Sequence, residues 1–324
     1  MRAALRLAAC LLLVAVAGFA HAQPAGDYPS KPVRLVVPFP PGGPADISAR
    51  VLASELSGKL GQQVIVDNRG GANGNIGAEA VARAASDGYT MLLVASNHAA
   101  NATLYSKLSY SLVRDFTPVA GMLYSPFVLV VHPSVPARTV SELVALAQSK
   151  PGELTYASAG SGGGAHLAAE LFKSMAKADI LHVPFKGTAP ALVDVVGGRV
   201  NVMFAAIAGT MNHVAAGRLR ALGVTGTSRL GAHPEIPTIA EAGVPGYAFA
   251  GWFGFLMPAG TPRPLADKMH GSIAEALRTP AMTSRLATDG NELLALDPDQ
   301  FGKFVASEID VWARIIRISG SKAE

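Results

Sequence analysis

Residues 36–56 read VVPFPPGGPADISARVLASEL, and the order of these residue types sets the fold class. Val36, Val37 and Phe39 close a buried strand. Pro40, Pro41 and Pro44 withhold backbone donors and stiffen the turn. Gly42 and Gly43 carry no Cβ, so the loop can take left-handed φ and let another molecule come close to its backbone. Ile47, Val51, Leu52 and Leu56 then recur at helical spacing. The stretch is a strand, a bare-backbone loop and a helix start. Outward-pointing N–H groups at the positive end of a helix dipole make such a place an anion seat. The plainer alternative is an ordinary tight strand-to-helix turn. Asp46, in the first helical turn, complements the dipole, and a carboxylate there repels a bound anion unless it turns away or holds a water.

The chain before this stretch sets the compartment. Arg2 and Arg6 precede the apolar run LAACLLLVAVAGFA, and Ala20-His21-Ala22 fits a small-residue cleavage pattern. This reads as a secretory signal peptide, residues 1–22, cleaved after Ala22 and removed from the mature protein. The LAAC at 7–10 has the look of a lipoprotein box but sits too early in the apolar run. Cys10 is the single cysteine, so the mature chain has no disulfide, thiolate metal site or cysteine nucleophile. The formal charge of +4 falls to +2 when Arg2 and Arg6 leave. With no basic run, nucleic acid is not an expected partner. No later segment is long and apolar enough to span a bilayer.

Downstream, strand-like and helical patterns alternate, as in an open parallel sheet. VRLVVPF, QQVIVDNR and YTMLLVAS form one set. FVLVVHP, LTYASAG, ILHVPF, VNVMFAAI and LRALGVTG form a second with the same rhythm and no close sequence repeat. FAGWFGFLMPAGTPRP reads as one more long strand. The helices LADKMHGSIAEALR and PDQFGKFVASEIDVWARIIRI follow with no strands of their own, so they are expected to return to the first lobe. Two crossing segments, near 117–131 and 247–258, would then form a hinge beside a cleft. Ligands of open α/β sheets sit at the carboxyl ends of strands.

YASAGSGGGAH (156–166) is the second glycine loop. Gly160 to Ala165 fits G-x-G-x-x-G/A, a weak match in a chain with 34 glycines. Ala159 to Gly163 nearly fits the nucleophile elbow, with Ser161 as nucleophile and Asp194 and His213 only loosely placed as partners. A second anion seat fits better: glycine amides and a serine hydroxyl before a helix. Ser96 and Asn97 lie at a third strand end, where such residues either line a cleft or cap the next helix. Lys186 could pair with an acidic ligand or stay solvated. The DNRGGANGNIG loop reads as structural, with Asn75 as a helix cap. His98, His132, His166, His182, His213, His233 and His270 show no metal-ligand spacing, and no metal or cofactor is expected. Trp252 and Phe253 read as hinge packing.

YPSKPVRLVVPFPPGGPADISAR, GANGNIGAEAVARAASDGYTMLL, HVPFKGTAPALVDVVGGRVNVMF and WFGFLMPAGTP together resemble the substrate-binding proteins of tripartite tricarboxylate transporters, the Bug or TctC-like receptors. The resemblance covers the chain from Tyr28 onward. It implies an α/β type II periplasmic binding protein, a Venus flytrap of two lobes joined by a two-strand hinge, without catalysis. Lobe 1 would comprise residues 23–124 and 251–324, and lobe 2 residues 125–250. The implied ligand is a small carboxylate-type anion and the implied partner a membrane permease, with the receptor a periplasmic monomer. Carried over by position, the ligand-binding residues are Phe39, Gly42, Gly43, Ser96 and Asn97 in lobe 1, and Ser158, Gly160, Ser161 and Gly162 in lobe 2. Ala205 is a further ligand-binding position: where the family often has Asp-Asn, this chain has Ala205 and Ala206, which disfavours an α-amino acid ligand. Two alternatives stay open: an exported hydrolase using Ser161, and a soluble sensory partner that presents its ligand to a membrane kinase.

Overall fold

The computed structural model describes residues 28–319, so the expected signal peptide lies outside the described residues. The first strand, β1 (Val33–Val37), carries Val33, Leu35, Val36 and Val37 with no exposed surface. Burial on both faces is what a strand inside a parallel sheet requires. The helix after it, α1 (Pro44–Leu60), opens with Pro44 at a position where a missing N–H is no loss, and ends at Gly61 in the left-handed region (φ 63°). β2 (Val64–Asn68), α2 (Asn75–Ala82), β3 (Thr90–Ala95) and α3 (Ser96–Leu104) complete the first set. β1 pairs in parallel with β2 and β3. Val33, Leu35 and Val37 pack with Leu52 and Leu56 of α1, and Val36 faces Ala78 and Val81 of α2 on the other side.

Next comes β4 (Phe116–Val131), at 16 residues the strand that joins the molecule. A second set follows: α4 (Val140–Ser149), β5 (Leu154–Ser158), α5 (Gly164–Ala176), β6 (Ile180–Pro184), α6 (Thr188–Val196), β7 (Val202–Ala206), α7 (Ile207–Ala215) and β8 (Arg220–Val224). The chain returns through β9 (Ala250–Pro258) and ends with α8 (Arg263–Ala276), α9 (Pro280–Thr288), the short β10 (Glu292–Leu293) and α10 (Pro298–Ser319). The sheet order is β2-β1-β3-β9-β4-β7-β5-β6, with β8 and β10 also on β4. From Phe116 to Pro126, β4 pairs with β9; from Phe127 to Val131 it pairs with β7 and β8. All of these pairings, and that of β9 with β3, are antiparallel, so the sheet is mixed rather than the parallel one expected. One strand thus belongs to both halves of the sheet, and the two crossing segments read from sequence coincide with β4 and β9.

The C-terminal region differs from expectation in two respects. α9 and β10 lie between the two helices read from sequence, and β10 adds to β4 opposite Leu123 and Tyr124. α8 packs on α1 and β4 as expected, but α10 lies across the joint, against α3, β4 and α5. Its buried stripe of Phe301, Val305, Trp312, Ile315 and Ile316 follows helical spacing. On that stripe Glu308 accepts the indole N–H groups of Trp252 at 2.6 Å and Trp312 at 3.0 Å. Burial pushes the Glu308 carboxyl up, against the pull of those two bonds.

Candidate ligand-binding site

The first glycine loop leaves β1 and enters α1. Gly42 is left-handed (φ 82°), and Gly43 caps the helix in extended geometry (φ −81°, ψ 169°) with no side-chain cap. The Gly42 amide donates to Asp46 Oδ2 at 2.9 Å, and Ile47 N donates to Gly43 O at 3.0 Å. Asp46 is buried and also takes Asn68 Nδ2 at 2.9 Å and Arg50 Nε at 3.0 Å. Burial alone would raise its carboxyl; the bonds from Arg50, Gly42 and Asn68 outweigh that and hold it below the usual range. The helix end therefore already holds an anion of the chain's own, and the Gly42 amide is committed to it.

Ser96 and Asn97 open α3 and are nearly buried. A Cβ on Gly251 would meet Ser96 Oγ at 3.6 Å and the Phe127 ring at 3.8 Å, so Ser96 sits where β9 and β4 pass between the halves. Asn97 Nδ2 donates to Asn73 O at 2.6 Å, and its Oδ1 is buried with no protein partner. A buried acceptor left open in this way suits a water or a ligand donor. Phe39 packs edge-on to Phe253 at 6.2 Å and to His98 at 6.4 Å. Burial drives His98 down to about 4, against contacts with the Ala95 and Gly74 backbone. Trp252 is packing at the joint, against Phe301 and Phe304; Phe253 stands beside the site.

The second loop, between β5 and α5, repeats the first in geometry. Gly162 is left-handed (φ 76°), Gly163 caps the helix at φ −76°, ψ 165°, and Leu167 N donates to Gly163 O at 3.0 Å. The Gly162 amide donates to the side chain four residues on, here His166 Nδ1 at 3.0 Å. Ser158 is fully buried, with its Oγ 2.6 Å from His182 Nε2 and within 3.2 Å of both Gly160 N and Gly160 O. Ser161 is half-exposed, and its hydroxyl has no protein partner among the described residues. The loop faces the first half: a Cβ on Gly162 would lie 3.0 Å from Leu104 and 3.5 Å from Asn73 Nδ2. Ala205 stands one residue before the end of β7, next to Ala206, which pairs with Phe127. It is fully buried opposite Val128, in an apolar cluster with Ala157 and Met203. Lys186 is exposed and forms no ion pair among the described residues.

The 71–75 turn has more to do than the sequence reading assigned to it. Asn75 does not cap α2; Gly74 holds that position. Asn75 Oδ1 instead accepts Asn101 Nδ2 at 2.7 Å and the Tyr110 hydroxyl at 2.6 Å, while Asn73 Nδ2 donates to Asn101 Oδ1 at 2.8 Å. Ala72 and Asn73 are both left-handed (φ 46° and 52°), a conformation Asn tolerates better than most residues. These bonds brace the turn against α3, opposite the second loop. The run of asparagines and glycines marked a turn; its partner on α3 was beyond sequence reading.

The two glycine loops follow the carboxyl ends of β1 and β5, and the second abuts Asn73 and Leu104 of the first half. The sequence matches the tripartite tricarboxylate transporter family receptor (TctC) over residues 48–320. The chain belongs to that family. Among solved structures it is similar to Rpa4515 of R. palustris with adipate: 37% identity, TM-score 0.84, covering 91% of this chain and 99% of that one. It is similar to the periplasmic binding protein BugD at 32% identity and TM-score 0.81, covering 92% and 100%. MatC of Rhodopseudomonas palustris with bound malate matches at 32% identity and TM-score 0.79, covering 89% and 100%. The protein is a solute-binding receptor with the periplasmic binding protein fold, and its family is one of receptors, not enzymes. The hydrolase reading of Ser161 is set aside. The buried Ser158–His182 contact offers no accessible nucleophile.

Proposed function

We propose that this receptor captures a small amine-free carboxylate, with a dicarboxylate as the first candidate, between its two glycine loops, and delivers it to a membrane permease. The supporting observation is that the second loop, at Gly162, abuts Asn73, whose carbonyl accepts Asn97 of the first half; in this reading Gly42–Gly43 with Ser96–Asn97 line one side and Gly160–Gly162 the other. Relatives bound to adipate and malate support the ligand class. Ala205 and Ala206 put no acidic side chain at the end of β7 to meet an ammonium group. In this reading Phe39 and Ser161 complete the site, residues 23–124 with 251–324 and residues 125–250 are the two lobes, with α10 reaching across from the first to the second, and β4 and β9 are the hinge of a monomer cleaved after Ala22.

Backbone amides and hydroxyls bind a carboxylate by charge-assisted hydrogen bonds of roughly 1.5–3 kcal/mol each. Three or four, less the costs of closure and ordering, leave about −8 kcal/mol, a micromolar complex. Calorimetric titration with adipate, malate, monocarboxylates, aromatic acids, aspartate and glutamate tests this. Binding confined to acids without an amine supports it. Binding only of aspartate or glutamate overturns the ligand class, and binding of none overturns carboxylate capture.

A further inference from the structure

Beneath the second loop lies a group of side chains that carboxylate capture leaves unused. Parallel pairing sets Tyr156 beside His182 on β5 and β6. α5 lies over them and presents His166, Glu170 and Lys173 from one face. The His182 ring stacks on His166 at 4.3 Å and 25°, and on Tyr156 at 4.7 Å and 16°. Glu170 accepts the Tyr156 hydroxyl at 2.6 Å and the Lys173 ammonium at 2.8 Å, which ties helix to strand under the rings. Each imidazole then grips one end of the loop. His182 Nε2 meets Ser158 Oγ, the last residue of β5, at 2.6 Å, and His166 Nδ1 accepts the Gly162 amide at 3.0 Å.

The hydroxyl of Ser158 is used up by this arrangement. It has one proton and two lone pairs, and three contacts take them: His182, the Gly160 amide and the Gly160 carbonyl. Ser158 therefore shapes the loop and has nothing left to donate to a ligand. The Gly162 amide is likewise spent on His166. Between these two grips the Gly160 amide and carbonyl are held by Ser158 and the Ala159 carbonyl by Gly187 N, so the Ser161 amide and hydroxyl remain to meet the other half.

From this geometry we propose that His166 and His182 are positioning residues for the second seat: they fix both ends of the 158–162 loop, and so set ligand affinity without touching the ligand. The inference rests on the receptor reading above. A loop held in its bound shape before the ligand arrives loses less ordering free energy on binding. Freeing either end therefore weakens capture.

The test uses the purified full receptor and adipate as probe. His166→Leu and His182→Leu remove the grips; His166→Asn and His182→Gln keep a polar atom in reach of the same partner. Calorimetric affinity and hydrogen exchange across 158–164 are read on all five proteins, with melting temperature as the check on folding. Each leucine variant should weaken adipate about tenfold or more and lose exchange protection at the loop, while the polar variants stay within about threefold of wild type. Leucine variants that bind as wild type, or polar variants that lose as much as leucine ones, would overturn the proposal. If wild type itself binds no adipate, it is the dicarboxylate reading that fails. The exchange data then decide the positioning roles alone: unchanged protection in both leucine variants rejects them.

Discussion

The loops at 39–46 and 158–166 are the same device with different braces. PGGPADI and SGGGAHL, residues 41–47 and 161–167, put a left-handed glycine, an extended capping glycine and an i+4 side-chain acceptor in matching places. In the first loop the acceptor is the charged carboxylate of Asp46, clamped by Arg50 and Asn68. In the second it is the neutral ring of His166, stacked on His182. Shared backbone geometry thus hides a difference in electrostatics. One helix end carries a fixed negative charge, and the other an acceptor that a proton can abolish.

The largest expected effect comes from filling the loops. Gly43 and Gly163 both have φ values open to any residue, and Gly43 has only ordinary contacts around it. Gly43→Leu should therefore fold, with a melting temperature within a few degrees of wild type, and lose at least a hundredfold in ligand affinity by calorimetry. If the loops are equivalent in binding, Gly163→Leu does the same. Retention of affinity in Gly163→Leu alone would break the comparison and leave the first loop as the seat.

Next is the brace itself. Asp46→Ala takes the acceptor from the Gly42 amide and from one Asn68 Nδ2 proton, while half-exposed Arg50 keeps Asn68 Oδ1, and urea unfolding should show a loss of about 1–3 kcal/mol. Asp46→Asn keeps an acceptor and should lose about 1 kcal/mol. An Asp46→Ala protein as stable as wild type would show that the carboxylate does not hold the loop.

Acid should then separate the loops. Burial, reinforced by the neighbouring His182, holds His166 down at about 4, and burial does the same for His98. Both folded values lie below the free value of 6.5. The unfolded chain therefore takes up protons first, and stability that is full above pH 6.5 declines toward pH 4. For His98 this amounts to ~3 kcal/mol. Asp46 works in the opposite range: its folded value lies below 3.8, so its contribution persists until the pH falls through that lower value. Hydrogen exchange near pH 4 should find the Gly162 amide exposed and the Gly42 amide still protected. Equal protection would mean that the two braces do not differ as described.

The smallest effect belongs to the joint between the halves. Glu308→Gln keeps an acceptor near Trp252 and Trp312 while removing a buried charge, so chemical unfolding at neutral pH should change by no more than ~1 kcal/mol. A larger loss would make the charge itself essential to the joint.

The α/β alternation, the two crossing strands and both glycine loops were legible because each rests on local signals: burial period, turn residues and helix starts. Four features were not. Asp46 could be placed in the first turn, but whether it faced solvent or the Gly42 amide depended on Asn68 of β2. Asn75 looked like a cap, yet Asn101 and Tyr110 claim it from elsewhere in the chain. α10 was assigned to the first lobe, because a helical stripe records that it is apolar and not which two surfaces it covers. Ala205 marked a departure from the family pattern, but its burial opposite Val128 follows from strand pairing.

By itself the sequence determined an α/β protein with two glycine-rich strand-to-helix loops, since periodicity and glycine chemistry act within a few residues; that β4 and β9 run antiparallel to their neighbours was decided by strand pairing. The tertiary structure alone decided what each loop amide bonds to, that His182 comes under His166, and that the second loop meets Asn73 and Leu104. Those outcomes depend on strand register and helix packing between residues tens of positions apart, where the free energy is shared among many contacts and no short segment records it.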